Sequence, residues 1–116
     1  IKMKKNLLII SALLFMLIMP IANSECIYPK KNFKVPDGSK ATETSMIEVQ
    51  TKIKAYQADS ETYRTCLETE LASIPKEDGN YAELDSLVTK KYNASVEEET
   101  QLAEDWGTAV RAFKAQ

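Results

Sequence analysis

The side chains able to do chemistry are few, and their spacing narrows what they can do. The chain has 116 residues and no histidine, so it lacks the commonest general base and transition-metal ligand. Cys26 and Cys66 are too far apart in sequence to form a Cys-x-x-Cys redox pair, and two distant thiols without histidine make no zinc centre. In an oxidising compartment such a pair forms a disulfide, within one chain or between two. Glu97, Glu98, Glu99, Glu104 and Asp105 concentrate acid, but no Asp-x-Asp-x-Asp-Gly loop accompanies them, so they read as a solvated helix face rather than a Ca²⁺ site. There is no Gly-rich phosphate loop and no nucleophile elbow. No catalytic residue, metal ligand or cofactor motif can be assigned, and the expectation is a protein that is not an enzyme.

Composition divides the chain in two. Residues 1–24 hold 16 hydrophobic side chains, three lysines and no acid. Met3-Lys4-Lys5 opens an export signal of ordinary layout: a positive start, an apolar run from Leu7 to Met19, Pro20, then Ala22-Asn23-Ser24 as a cleavage site. The run is too short to span a bilayer, which takes about 20 residues. Cleavage is expected after Ser24, with Ile1 and Lys2 read as translated upstream sequence. Glu25 stands where a lipid-anchor motif needs a small residue before Cys26, so a soluble exported product is expected. Residues 25–116 carry twelve basic and seventeen acidic side chains, a balance of −5. With Lys90-Lys91 and Arg111/Lys114 as its basic pairs, this part offers no nucleic-acid surface. Asn93-Ala94-Ser95 is a glycosylation sequon, meaningful only in a eukaryotic secretory pathway.

The elements that position these groups are helices. Residues 25–41 form an extended arm, with Pro29 and Pro36 blocking regular structure and Pro36-Asp37-Gly38 marking a turn. From Thr42, the expected N-cap, the apolar period is helical: Met46, Val49, Ile53, Tyr56, Ser60, Tyr63 and Leu67 alternate steps of three and four, followed by Leu71 and Ile74. Ser45-x-x-Glu48 has the form of a capping box. Pro75 and Lys76-Glu77-Asp78-Gly79-Asn80 end this helix. A second helix begins near Tyr81 with Leu84, Leu87 and Val88, then continues as Tyr92, Val96, Glu99, Ala103, Trp106, Val110 and Phe113. The register slips between Val88 and Tyr92, which predicts a bend or break near Lys90. Glu99 falls on the apolar register, either turned outward or paired with Lys54 or Arg64. Gly107 costs about 1 kcal/mol in a helix interior relative to Ala and can let something pack closely beside Trp106.

These elements predict an all-α fold, an antiparallel two-helix hairpin over residues 42–116 with the arm tied to helix one. Cys66 lies about 36 Å along that helix from Thr42, and the arm spans about 50 Å when extended. An intrachain Cys26–Cys66 bond therefore requires the arm to run back along the hairpin, laying Ile27, Tyr28, Phe33 and Val35 over it. Charge favours that path, since the arm balances at +2 and residues 42–116 at −7. The candidate binding stripe is also the candidate core: Ile53, Tyr56, Tyr63, Leu67, Tyr92, Val96, Trp106, Val110 and Phe113.

Cys26, Val35-Pro36-Asp37-Gly38, Met46 with Val49-Gln50, Ile53-Lys54-Ala55-Tyr56, Tyr63 with Cys66-Leu67-Glu68, Tyr92-Asn93 with Val96, and Ala109-Val110-Arg111-Ala112-Phe113-Lys114 together form a pattern. It resembles that of small exported proteins of gammaproteobacteria and related bacteria, for which no activity is established. The resemblance covers nearly all of residues 25–116, and Trp106-Gly107 departs from it. It implies a helical hairpin in the bacterial periplasm or outside the cell, and it transfers no functional residue. The expected function is binding of another protein or an envelope component. A self-assembling coiled-coil module, hence a dimer in place of a monomer, is the first alternative, and a small apolar-ligand carrier is the second.

Overall fold

The computed structural model describes residues 25–116, and the export leader expected over residues 1–24 lies outside them. The described chain is all-helical, with two long helices packed on one another and no strand among the described residues: α1, Glu43–Ala72, and α2, Tyr81–Lys114. Thr42 caps α1 from an extended conformation. Its Oγ1 accepts from the Ser45 N–H at 3.1 Å while Ser45 Oγ accepts from the Thr42 N–H at 3.1 Å. The capping box is thus Thr42-x-x-Ser45, one turn earlier than the Ser45-x-x-Glu48 pattern suggested, because a serine hydroxyl at the third helical position reaches back as a glutamate does. At the other end the Ser73 N–H donates to the Thr69 and Glu70 carbonyls. Pro75 follows with no N–H to continue the ladder, and Asp78 Oδ1 accepts from Asn80 N at 2.8 Å to set the turn into α2.

The helices meet along a seven-residue repeat. Ile53 packs with Leu102, and Leu67 with Val88. The same antiparallel register sets Met46 against Ala109 and Ser60 against Ser95, all of them buried. On α1 the sequence stripe and the buried face coincide. On α2 they do not. Its buried residues are Val88, Ser95, Leu102 and Ala109, one position N-terminal to Val96, Ala103 and Val110. Small Ser95 and Ala109 let backbones approach closely, so the face turns toward them. Val96 is left 41% exposed, against its assignment to the core. The expected break near Lys90 is likewise absent, and α2 is continuous. From Val88 the step of seven runs to Ala109 without a slip, so no bend is required.

The arm does run back along the hairpin. A disulfide joins Cys26 to Cys66 with Cα atoms 5.6 Å apart. Tyr28 then meets Tyr63 edge-on at 5.0 Å between ring centroids, and Phe33 meets Tyr56 at 6.1 Å. Phe33 and Val35 pack on the Ile53–Tyr56–Leu102 cluster. Asp37 Oδ1 accepts from both the N–H and the hydroxyl of Ser39, which closes the expected turn and holds the Asp37 carboxyl below its ordinary pKa. Ile27 departs from expectation: it is 84% exposed, since the disulfide turns the chain so that its neighbours Cys26 and Tyr28 face the hairpin instead. The basic arm makes no ion pair with the acidic hairpin among the described residues; its lysines are exposed, and edge-on rings and the disulfide hold it.

Candidate functional site

Polar groups cross the middle of the hairpin as a belt between two apolar clusters. Ile53, Tyr56 and Leu102 form one cluster, with Phe33, Val35, Val49 and Trp106 around it. Tyr63, Leu67 and Val88 form the other, with Cys26, Leu71 and Tyr92. Between them lie Ser60 and Ser95, essentially without exposure. On one side of the belt Arg64 Nη1 lies 2.6 Å from Glu99 Oε2 and donates to Ser95 Oγ at 3.2 Å. This answers the question of Glu99: of the two arrangements open to it, the structure selects the pair with Arg64. On the arm side the hydroxyls of Tyr28 and Tyr56 both donate to Glu98 Oε2, Tyr56 at 3.1 Å. Burial, and then the Glu98 carboxylate, push both phenols above their ordinary range. Burial does the same to Tyr63.

Adjacent acids therefore face opposite ways, Glu98 into the arm and Glu99 into the helix pair. Among the described residues no cluster of acidic, cysteine or histidine side chains is arranged to hold a metal ion. The aromatic set does not line one groove either. Tyr56 and Trp106 belong to the first cluster, and Tyr63 and Tyr92 to the second. Open clefts lie along the arm on its own side. One, of about 610 Å³, runs beside Phe33, Val35, Gly38, Asp105 and Ala109; another, of about 510 Å³, lies under Ile27, Tyr28, Pro29, Tyr63 and Cys66. Neither reaches Tyr92, Trp106 or Phe113.

The other side of the hairpin carries no arm. There α2 presents a strip on which Val96 and Ala103 are exposed and Tyr92, Trp106, Val110 and Phe113 are half-buried. Eight charged residues lie between positions 89 and 113, and seven of them fall off this strip. The eighth is Glu99, neutralised by Arg64. Ile53, Tyr56, Tyr63 and Leu67, the rest of the sequence-derived stripe, are buried in the two clusters. Sequence reasoning missed Glu98, Ser95 and Gly38. Ser95 had a readable signal, the strict spacing of seven through Val88, Leu102 and Ala109. Gly38 had less. A Cβ there would lie 1.8 Å from the Ala109 carbonyl oxygen, a closeness of arm to α2 that no local pattern encodes.

No helix among the described residues is long and apolar enough to cross a membrane. No protein-family model, no curated protein and no solved structure matches this chain.

Proposed function

We propose that this chain is a non-enzymatic exported protein that binds another protein or an envelope component through the hairpin face opposite the arm. The observation that carries the reading is the nearly uncharged strip on α2, from Tyr92 to Phe113, in a helix whose other sides are densely charged. An amphipathic helix normally turns such a strip into its own core. Here the core is made by the neighbouring positions Ser95, Leu102 and Ala109, and Val96 and Ala103 are surplus to it. Reactive groups elsewhere are engaged in holding the fold: the thiols with each other, Glu98 with two phenols, Glu99 with Arg64. The disulfide suits an oxidising compartment such as the periplasm or the medium. The ligand-carrier alternative draws on the cleft under Ile27 and Tyr28, which takes Tyr63 alone from the aromatic stripe.

The test is a photo-cross-linking side chain placed at Val96 or, as a control on the charged side, at Glu104, in bacteria exporting the protein. Adducts from position 96 and few from position 104 are expected. Equal or absent cross-linking at both would overturn the assignment of this face.

A further inference from the structure

Resting on the preceding reading, we infer that the occupant of the bare face is a second copy of this chain, stacked face to face so that α2 lies antiparallel on α2 of its partner about a twofold axis at Ala103. Charge is the first argument. The chain from residue 25 onward is net acidic at −5, which opposes self-association generally, yet this strip contributes no net charge because Arg64 neutralises Glu99. On α2 it is the strip along which two copies meet without repulsion between their own charges.

Shape and direction come from the order of residues along the strip. An antiparallel pairing about Ala103 sets Val96 across from Val110, Trp106 across from Thr100, and Glu99 across from Gly107. Trp106 then meets the smaller Thr100 and Glu99 meets Gly107, while Val96 and Val110 meet as equals, an arrangement that allows close packing. Gly107, a liability inside a helix, carries no side chain to meet the Arg64–Glu99 pair of the other copy. A parallel pairing would stack Trp106 on Trp106 and Glu99 on Glu99, placing like charges face to face. The hairpin register carries the same axis to Lys52 on α1, where Ile47 then faces Gln57, Gln50 faces Lys54, and Glu43 faces Glu61 at the two ends of the α1 overlap. Exposed Ile47 is thereby covered.

Size agrees. The overlap runs about 33 Å, from residue 92 to 113 at 1.5 Å per residue. Two helices side by side are about 20 Å wide. The footprint is about 650 Å² per copy, or about 1,300 Å² in total, within the range of stable dimers. The product is a four-helix bundle with both arms on its outside.

Sedimentation of the purified, disulfide-bonded protein tests the proposal. The expected result is a dimer across the micromolar range, weakened roughly a hundredfold by Val96→Glu, which buries a charge at the interface, and unaffected by Glu104→Gln. Cysteines locate the axis: Ala103→Cys should cross-link to itself, and Val96→Cys to Val110→Cys when the two variants are mixed. Self-linking of Val96→Cys would overturn the antiparallel register. A protein that remains monomeric overturns the second copy as occupant. If position 96 still cross-links to a different protein in cells, the binding face survives that failure; if it cross-links to nothing, both readings fall.

Discussion

The two faces of the hairpin are made by the same pair of helices but are finished differently. On one face the arm supplies a third layer, fixed by a covalent bond at Cys66, edge-on rings at Tyr63 and Tyr56, and the backbone of Gly38 against Ala109. The Gln116 side-chain amide closes this face, donating to the carbonyls of Gly38 and Ala41. On the other face the Arg64–Glu99 pair is the main finish, and apolar side chains beyond it remain half-open. A hairpin of two helices has too little interior to bury both sides. The chain spends its extra residues on one side and leaves the other uncovered.

The two faces differ most sharply at the disulfide. Cys66→Ala, or reduction, should destabilise the fold by about 4 kcal/mol, the chain-entropy value for a loop of this length. Denaturant titration with and without reductant measures it; an unmoved midpoint would mean that the arm does not hold its face covalently. Gly38→Ala should come next, at about 2 to 3 kcal/mol. The added methyl meets the Ala109 carbonyl, which is backbone and cannot swing aside. Thr100→Ala on the bare face should cost well under 1 kcal/mol in the monomer, so the ratio of the two losses reports the asymmetry directly.

Tyr28→Phe is smaller, about 1 kcal/mol at neutral pH for one hydrogen bond to a carboxylate. Its signature is in alkali. The phenol titrates near 10.0 when free, and burial with the Glu98 carboxylate raises it in the folded chain. The folded state then holds a proton that the unfolded state releases, so this stabilisation is full below pH 10 and is lost as pH rises above it. Tyr56 behaves in the same direction. The melting temperature of the intact protein should therefore fall more steeply above about pH 10 than that of Tyr28→Phe. Equal slopes would show that the Tyr28 phenol is not coupled to folding.

The covered face was partly legible in the sequence and the bare face less so. The α1 stripe from Met46 to Leu67 reads directly because each large apolar residue on it is used by one core. Path and partner of the arm also follow from reach, given a bond between Cys26 and Cys66. On α2 two overlapping apolar seams share Tyr92, Glu99, Trp106 and Phe113, and periodicity alone cannot say which flank faces α1. The larger valines draw the eye to the wrong flank. Close packing selects Ser95 and Ala109, since small residues at a crossing let larger neighbours interlock. Glu98 was illegible for a different reason: its partners lie 42 and 70 residues away, on separate elements.

Gly107→Ala separates the two faces with a change of sign. Within one copy a Cβ at position 107 meets only the tip of Arg111, at 3.3 Å, and that flexible side chain can move. Helix propensity should then dominate, and the monomer should gain about 0.5 to 1 kcal/mol. Between two copies the same methyl enters the space facing Glu99, so association should weaken while the fold strengthens. Thermal melts at concentrations below and above the association range read the two terms separately. A variant that both folds and associates more tightly would place Gly107 outside the contact. A variant that is less stable as a monomer would mean that the Arg111 side chain is held where it stands.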